Sequence, residues 1–318
     1  MLIQKRNGLY QDYDAYKIKS AIQKAFQSLQ VQIDEGQLNE LVYDVEKQVY
    51  EKMSVEKIQD VVEETLMKYG YHQVAKAYIL YRQKHSENRA VIWDLIEILN
   101  DKELIELFEN IQKDYPQDEY SLKFLLIKLK TFYKNNMNQK EAFQMLIKAS
   151  VELISKDAPK WEMISARFLN YQIHKTIKEK MQQLNISSFY EKIKYLTNEG
   201  YYGRYILENY TKADIDELSS YIKEERNELF TYSGLELVMK RYLIQNHERE
   251  ILEKPQEMFM GIAMHLAIPE QERVKWAKEI YDILSTLKVT MATPTMSNAR
   301  KPFHQMSSCF IDTVDDSL

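Results

Sequence analysis

Apolar side chains recur three and four residues apart through most of this chain, and that spacing restricts it to a largely helical fold. After Asp14, which is placed to cap a helix, Ile18, Ile22, Ala25, Phe26 and Leu29 fall on one helical face. After Glu35-Gly36 a second face carries Leu38, Leu41, Val42, Val45 and Val49. Ser54 is placed to cap a third helix, through Ile58, Val61, Val62 and Leu66, which Tyr69-Gly70 ends. A fourth carries Val74, Ala77, Tyr78 and Tyr81. With only seven glycines and six prolines in 318 residues, few positions interrupt such helices. The pattern breaks at the two ends. Leu2-Ile3-Gln4 and Leu9-Tyr10-Gln11 flank Asn7-Gly8, a pair suited to the two-residue type I′ turn of a β-hairpin. Residues 288–291 and 308–311 are short and β-prone, as strands opening a new sheet would be.

Further along, residues 257–264 read as a strongly apolar core helix whose methionines serve packing. Pro269-Glu270 reads as the start of a helix bearing Val274, Trp276, Ala277, Ile280, Tyr281 and Leu284. Lys223-Glu224-Glu225-Arg226 reads as a solvated charged face. Leu66-Met67 and Val74, Tyr78-Ile79 and Tyr81 are echoed by Leu153-Ile154 and Ile164, Phe168-Leu169 and Tyr171. The offset, roughly 90 residues, lies outside the usual solenoid periods. Two readings stay open: a duplicated module, or the generic likeness of amphipathic helices.

The length allows about two domains with a sizeable core. A formal net charge of −5 gives no general electrostatic case for nucleic acid as a partner. No apolar run approaches a membrane span, and the N-terminus has neither the apolar core nor the cleavage site of a signal peptide. The single cysteine, Cys309, excludes an intrachain disulfide framework and suggests a reducing compartment, which places the protein in the cytoplasm. No CxxC pair or His/Cys cluster suggests zinc, so no metal is expected in this chain.

Lys5 and Arg6 sit beside the hairpin turn, and Lys17 lies one turn into the first helix. A hairpin against a helix N-terminus could gather these cations with open backbone N–H groups into a triphosphate site. The other reading is that they are solvated and discourage edge pairing.

Residues 2–85 resemble the ATP-cone, the regulatory nucleotide-binding domain of ribonucleotide reductases. The likeness rests on Lys5-Arg6-Asn7-Gly8, Tyr16-Lys17-Ile18, Val55-Glu56-Lys57-Ile58-Gln59-Asp60-Val61-Val62-Glu63 and Ala77-Tyr78-Ile79-Leu80-Tyr81-Arg82. It implies allosteric nucleotide contacts at Lys5, Arg6, Gln11, Lys17, Ser54 and Lys84, with ATP or dATP as effector and magnesium as its companion. Residues 141–178 are similar to a cone ending, through Ile154-Ser155-Lys156-Asp157-Ala158-Pro159 and Ser165-Ala166-Arg167-Phe168-Leu169, but lack the basic hairpin. They read as a degenerate second cone that binds no nucleotide. Residues 186–290 resemble the helical region between cone and barrel, through Asn209-Tyr210-Thr211, Phe230-Thr231-Tyr232-Ser233-Gly234 and Arg241-Tyr242-Leu243.

The most specific likeness is residues 293–309, whose spacing agrees throughout with the start of the catalytic barrel in class I large subunits. Reducing a ribose 2′-carbon needs two electrons, which a dithiol can supply by becoming a disulfide. The resemblance makes Cys309 one thiol of that pair and Thr293 and Ser308 substrate-binding residues. Asp316, Ser317 and Leu318 match the start of the specificity-effector loop.

The expected fold class is mainly α: an ATP-cone over 1–86, a degenerate second cone over 87–178, a helical domain over 179–288, and over 289–318 the first strands of a ten-stranded α/β barrel. The implied function is that of the N-terminal portion of a ribonucleoside-diphosphate reductase large subunit, making deoxyribonucleotides under ATP and dATP control. One cysteine cannot supply the family's chemistry, so this chain alone is expected to be inactive. Its implied partners are the remaining catalytic part of the subunit, a radical-generating small subunit holding the metallocofactor, thioredoxin or glutaredoxin, and further copies of itself. The alternative is a non-enzymatic module sensing ATP and dATP.

Overall fold

The structure is a computed structural model, and it describes residues 1–5, 8–309 and 311. The chain divides into two compact units, Met1–Glu97 and Ile98–Leu318. Helices dominate both, as the apolar spacing requires.

The first unit opens with an antiparallel pair, β1 (Leu2–Gln4) and β2 (Tyr10–Asp12), in register Ile3 to Gln11. Asn7 of the expected Asn7-Gly8 turn lies outside the described residues. The Gly8 N–H donates to Lys5 O at 3.0 Å and the Lys5 N–H to Leu9 O at 2.8 Å. Gly8 therefore closes the turn, at φ +80°, a value glycine adopts without a Cβ penalty. The outer edge of β1 is not left open. The Lys52 N–H donates to Leu2 O and the Gln4 N–H to Met53 O, which brings Ser54 alongside Gln4.

Four helices follow: α1 (Ala15–Ser28), α2 (Glu35–Glu46), α3 (Val55–Lys68) and α4 (His72–Leu99). Their starts are set by short polar side chains. Asp14 accepts from the Tyr16 N–H at 3.0 Å, Asp34 from the Gly36 N–H at 2.8 Å, and Ser54 from the Lys57 N–H at 3.3 Å. Ile3, Ile22, Phe26, Leu38, Leu41, Val45, Ile58, Val62, Leu66, Val74 and Tyr78 form one core. Each such side chain contributes about 1.5–3 kcal/mol on burial. Val49 lies beyond α2, and on α4 Ala75 is buried while Tyr81 points outward. α4 runs without a break through the boundary expected at residues 86 and 87.

The second unit contains α5 (Leu104–Asp114), α6 (Leu122–Phe132), α7 (Gln139–Val151), α8 (Trp161–Gln183), α9 (Phe189–Asn198), α10 (Tyr205–Asn209), α11 (Lys212–Tyr221), α12 (Tyr232–Arg241), α13 (Pro255–Leu266), α14 (Arg273–Ser285) and α15 (Thr293–Asn298). α8 buries Trp161, Ile164, Phe168, Ile173 and Ile177 against α7 and α12. α13 is buried on every side from Pro255 to Met264, including Met258, Met260 and Met264, as its composition suggests. It packs on α14, which begins at Arg273, three residues after the expected Pro269-Glu270 start, and leaves Trp276 exposed.

Two expectations are corrected here. Residues 223–226 are a solvated face only in part: Glu225 is exposed and the Glu224 side chain is 41% exposed. Glu224 pairs with Lys254 at 3.0 Å, and Arg226, more deeply set, with Asp282 at 2.7 Å, from a 3-10 helix over Glu224–Leu229. Residues 288–291 form no strand, and neither do Ser308, Cys309 and Ile311. A strand exists only as a paired ladder, and the two described strands of the chain pair with each other.

Candidate functional site

The first unit holds a cleft of about 160 Å³ between the hairpin, α1, α3 and α4. Its walls are mainly apolar: Ile3, Ile18, Ala21, Val55, Ile58 and Val62. Gln11, Tyr13, Asp14, Lys17, Gln59 and Tyr78 bring polar groups to it. An apolar slot edged by two amides suits a planar heterocycle that needs both donors and acceptors. The Tyr13 hydroxyl is buried and has no partner among the described residues, and Tyr13 is one of the residues lining this cleft. Burial, then the Glu46 and Asp14 carboxylates, push its pKa up to about 12, so it is a neutral donor at ordinary pH. An unmet buried hydroxyl costs free energy that a bound ligand would recover.

Of the residues expected to bind nucleotide, Gln11 and Lys17 line the cleft, and Ser54 stands one residue before Val55 in its wall. Lys5 lies at the hairpin turn, outside the lining residues. Lys84 is exposed on α4 and does not line the cleft. Arg6 lies outside the described residues. The start of α1 is not the open anion nest that the sequence suggests. The Asp14 carboxylate caps the Tyr16 N–H and so sets a negative charge at the mouth, which suits a ribose hydroxyl or a cation beside a phosphate. Gln59 and Tyr13 also line the cleft and were not singled out, although Gln59 falls in the cone-like segment and Tyr13 between two expected contacts.

α3 and α4 are tied beside this cleft by Arg82. Its guanidinium donates to Asp60 at 2.6 Å, Glu63 at 2.8 Å and Glu56 at 2.7 Å. Glu56, Asp60 and Glu63 lie on one face of α3 at helical spacing, so a fork-shaped cation can meet all three. That spacing was the available signal. Its partner, 19 residues or more away in sequence, was not deducible from it.

In the second unit, residues 293–309 leave α14 through α15. Thr293 is exposed at the start of α15 and shares a hydrogen bond with the Tyr242 hydroxyl at 3.4 Å. Ser308 Oγ lies 3.8 Å from Cys309 Sγ, and the thiol is exposed. No hydrogen bond among the described residues joins Thr293 to Ser308 or Cys309. Asp316, Ser317 and Leu318 lie outside the described residues. What fixes this segment is Arg300, whose side chain is buried against Glu253. Beside it, Tyr205 stacks edgewise on His265 and His304, at 5.1 and 4.9 Å between ring centres.

Among the described residues no cluster of three or more His, Cys, Asp or Glu could hold a metal ion, and no helix is long and apolar enough to cross a membrane.

Residues 1–87 match the ATP cone domain, and residues 228–304 match the ribonucleotide reductase all-alpha domain. Along its whole length the chain is 44% identical to the ribonucleoside-diphosphate reductase subunit alpha of Treponema pallidum, covering 39% of that protein. It is 27% identical over 99% of its length to the Chlamydia trachomatis subunit alpha, covering 33%. Over 59% of its length it is 30% identical to ribonucleoside-diphosphate reductase 1 subunit alpha of Escherichia coli, covering 24%. The chain thus spans well under half the length of these relatives.

Proposed function

From the premise that this chain belongs to the ribonucleotide reductase large-subunit family, as the N-terminal part with its ATP-cone, we propose that it carries the nucleotide switch and the first substrate-contacting segment of a ribonucleoside-diphosphate reductase. The observation that carries this reading is the cleft of the first unit, with Tyr13, whose hydroxyl is unpartnered, among its lining residues. ATP or dATP would seat its base in the apolar slot, against the amides of Gln11 and Gln59. Tyr13 would donate to it, Asp14 would face the ribose or a magnesium ion, and Lys5, Arg6 and Lys17 would meet the phosphates. Which nucleotide is bound would set activity through assembly of further copies.

Residues 87–178 would be the degenerate second cone. Four helices ending in the long α8 follow the order of α1 to α4, without a hairpin among the described residues. Residues 179–288 would form the helical domain, and 289–318 would pair with strands supplied by the rest of the subunit. Thr293 and Ser308 would hold substrate. Asp316, Ser317 and Leu318 would begin the specificity-effector loop.

In the reaction the ribose 2′-hydroxyl leaves as water while two thiols become a disulfide, giving up two electrons and two hydrogens. Cys309 would be one of these thiols, and the rest of the subunit would supply the other. A small subunit would furnish the radical through its metal cofactor, and thioredoxin or glutaredoxin would reduce the disulfide.

Calorimetric titration with ATP and dATP tests the switch. Binding is expected, weakened roughly tenfold or more in Lys17→Ala, the scale of one charge-assisted hydrogen bond. No binding to the unaltered chain would overturn it. A non-enzymatic nucleotide sensor is the second reading, favoured by the cleft being complete within the first unit. Complementation with the rest of a large subunit separates the two: under the enzyme reading turnover appears and Cys309→Ser abolishes it, and under the sensor reading none appears.

A further inference from the structure

Arg300 and Glu253 are both fully buried, at 0% exposure. A charge pair away from water is costly unless its donors and acceptors are well satisfied. Here they are. Arg300 Nε donates to both carboxylate oxygens, at 3.1 and 3.0 Å. Nη2 meets Glu253 and also donates to Tyr242 O, at 2.7 Å, at the end of α12. Nη1 donates to Met296 O at 2.9 Å. Glu253 in turn accepts from the Ile244 N–H at 2.8 Å and from the Tyr202 hydroxyl at 3.0 Å. Burial holds the Tyr202 pKa well above its ordinary value, and the nearby Glu253 charge adds to this, so the hydroxyl keeps its proton. Gly261 on α13 makes the room: a Cβ there would stand 2.7 Å from the Tyr202 hydroxyl and 2.8 Å from Arg300 Cδ.

The surrounding backbone is clamped as well. The Gly203 N–H donates to Arg300 O at 2.9 Å, and the Tyr205 hydroxyl reaches Ala299 O and Lys301 O at 2.8 and 3.0 Å. The Asn298 amide donates to Gln305 O at 2.9 Å, which carries the constraint towards Cys309. An apolar set of similar volume often matches such a pair in stability, but it cannot direct backbone groups in this way.

We propose that Arg300 and Glu253 are positioning residues, a buried latch that fixes the register of residues 293–309 and thereby the placement of Cys309. The proposal rests on the reading of that segment as substrate-contacting.

Cys309 is the chain's single cysteine and is exposed, so it accepts a nitroxide spin label, or reacts with an alkylating agent, without a competing thiol. The double variant Arg300→Met/Glu253→Leu removes both charges and refills the space, while losing the directed bonds. Well below its melting temperature, its label is expected to gain a mobile component and its thiol to alkylate severalfold faster than wild type. An unchanged spectrum and rate in a folded double variant would overturn the proposal and leave the pair a merely structural one. Should that variant not fold, Tyr202→Phe, which deletes one hydroxyl, decides in the same way: greater mobility supports the latch and no change sinks it. The redox reading of Cys309 fails separately, through retained turnover of Cys309→Ser on complementation, and that result does not alter the mobility measurement.

Discussion

Each unit is fastened by an arginine against carboxylates, and the two fastenings differ in how much water they see. Arg82 in the first unit is 21% exposed, and two of its three partners, Glu56 and Asp60, are more exposed still. Arg300 in the second unit is sealed with Glu253. Water screens the first set, so each bond adds little and the loss of one leaves the others in place. The second set has no solvent to fall back on. Removing one partner strands the other as a buried charge, although replacing both together need not be costly. Similar chemistry therefore gives a forgiving brace beside the cleft of the first unit and an unforgiving one under the segment that bears Cys309.

The comparison breaks most sharply at Glu253. Glu253→Ala is expected to cost about 3–5 kcal/mol in urea unfolding of the second unit, the range for an orphaned buried charge. A loss as small as that of a surface pair would remove the distinction. Acid should also separate the units. His265, behind the latch, has its pKa lowered from 6.5 to about 4, by burial first and then by His304. The folded state therefore resists a proton that the unfolded chain accepts. This contribution to stability is full above about pH 6.5 and is lost as the pH falls from there towards 4. Urea midpoints of the second unit should drop across that window, and His265→Gln should flatten the drop; equal slopes in variant and wild type would count against it. The smallest effect is expected at Arg82, where Arg82→Ala should lower the stability of the first unit by about 1 kcal/mol. A markedly larger loss, read by the same melts, would show the exposed brace to be as critical as the buried one.

Local signals in the sequence carried much of the fold. Asp14 and Ser54 announced the starts of α1 and α3, since a short polar side chain before an apolar period has one common use. The weak cues at Thr211 and Thr231 have the same origin: each caps the helix that follows it. Gln11 and Lys17 were legible as a pair sharing one cleft because they lie close together in the chain. Tyr13 was not, since nothing in its neighbours tells that its hydroxyl is buried without a partner. Lys84 was chosen by likeness, and the side of α4 it occupies was settled by packing.

The sequence by itself determined where helices begin, which faces they bury, and which segment holds the thiol, because period and capping act over a few residues. Only the tertiary structure decided that Ser54 lies beside the hairpin, that Glu224 pairs with Lys254 and Arg226 with Asp282, and that Arg300 finds Glu253. Those pairings join residues tens of positions apart. They depend on which surfaces the packed helices bring together and which they close to water, and no local pattern of side chains encodes either.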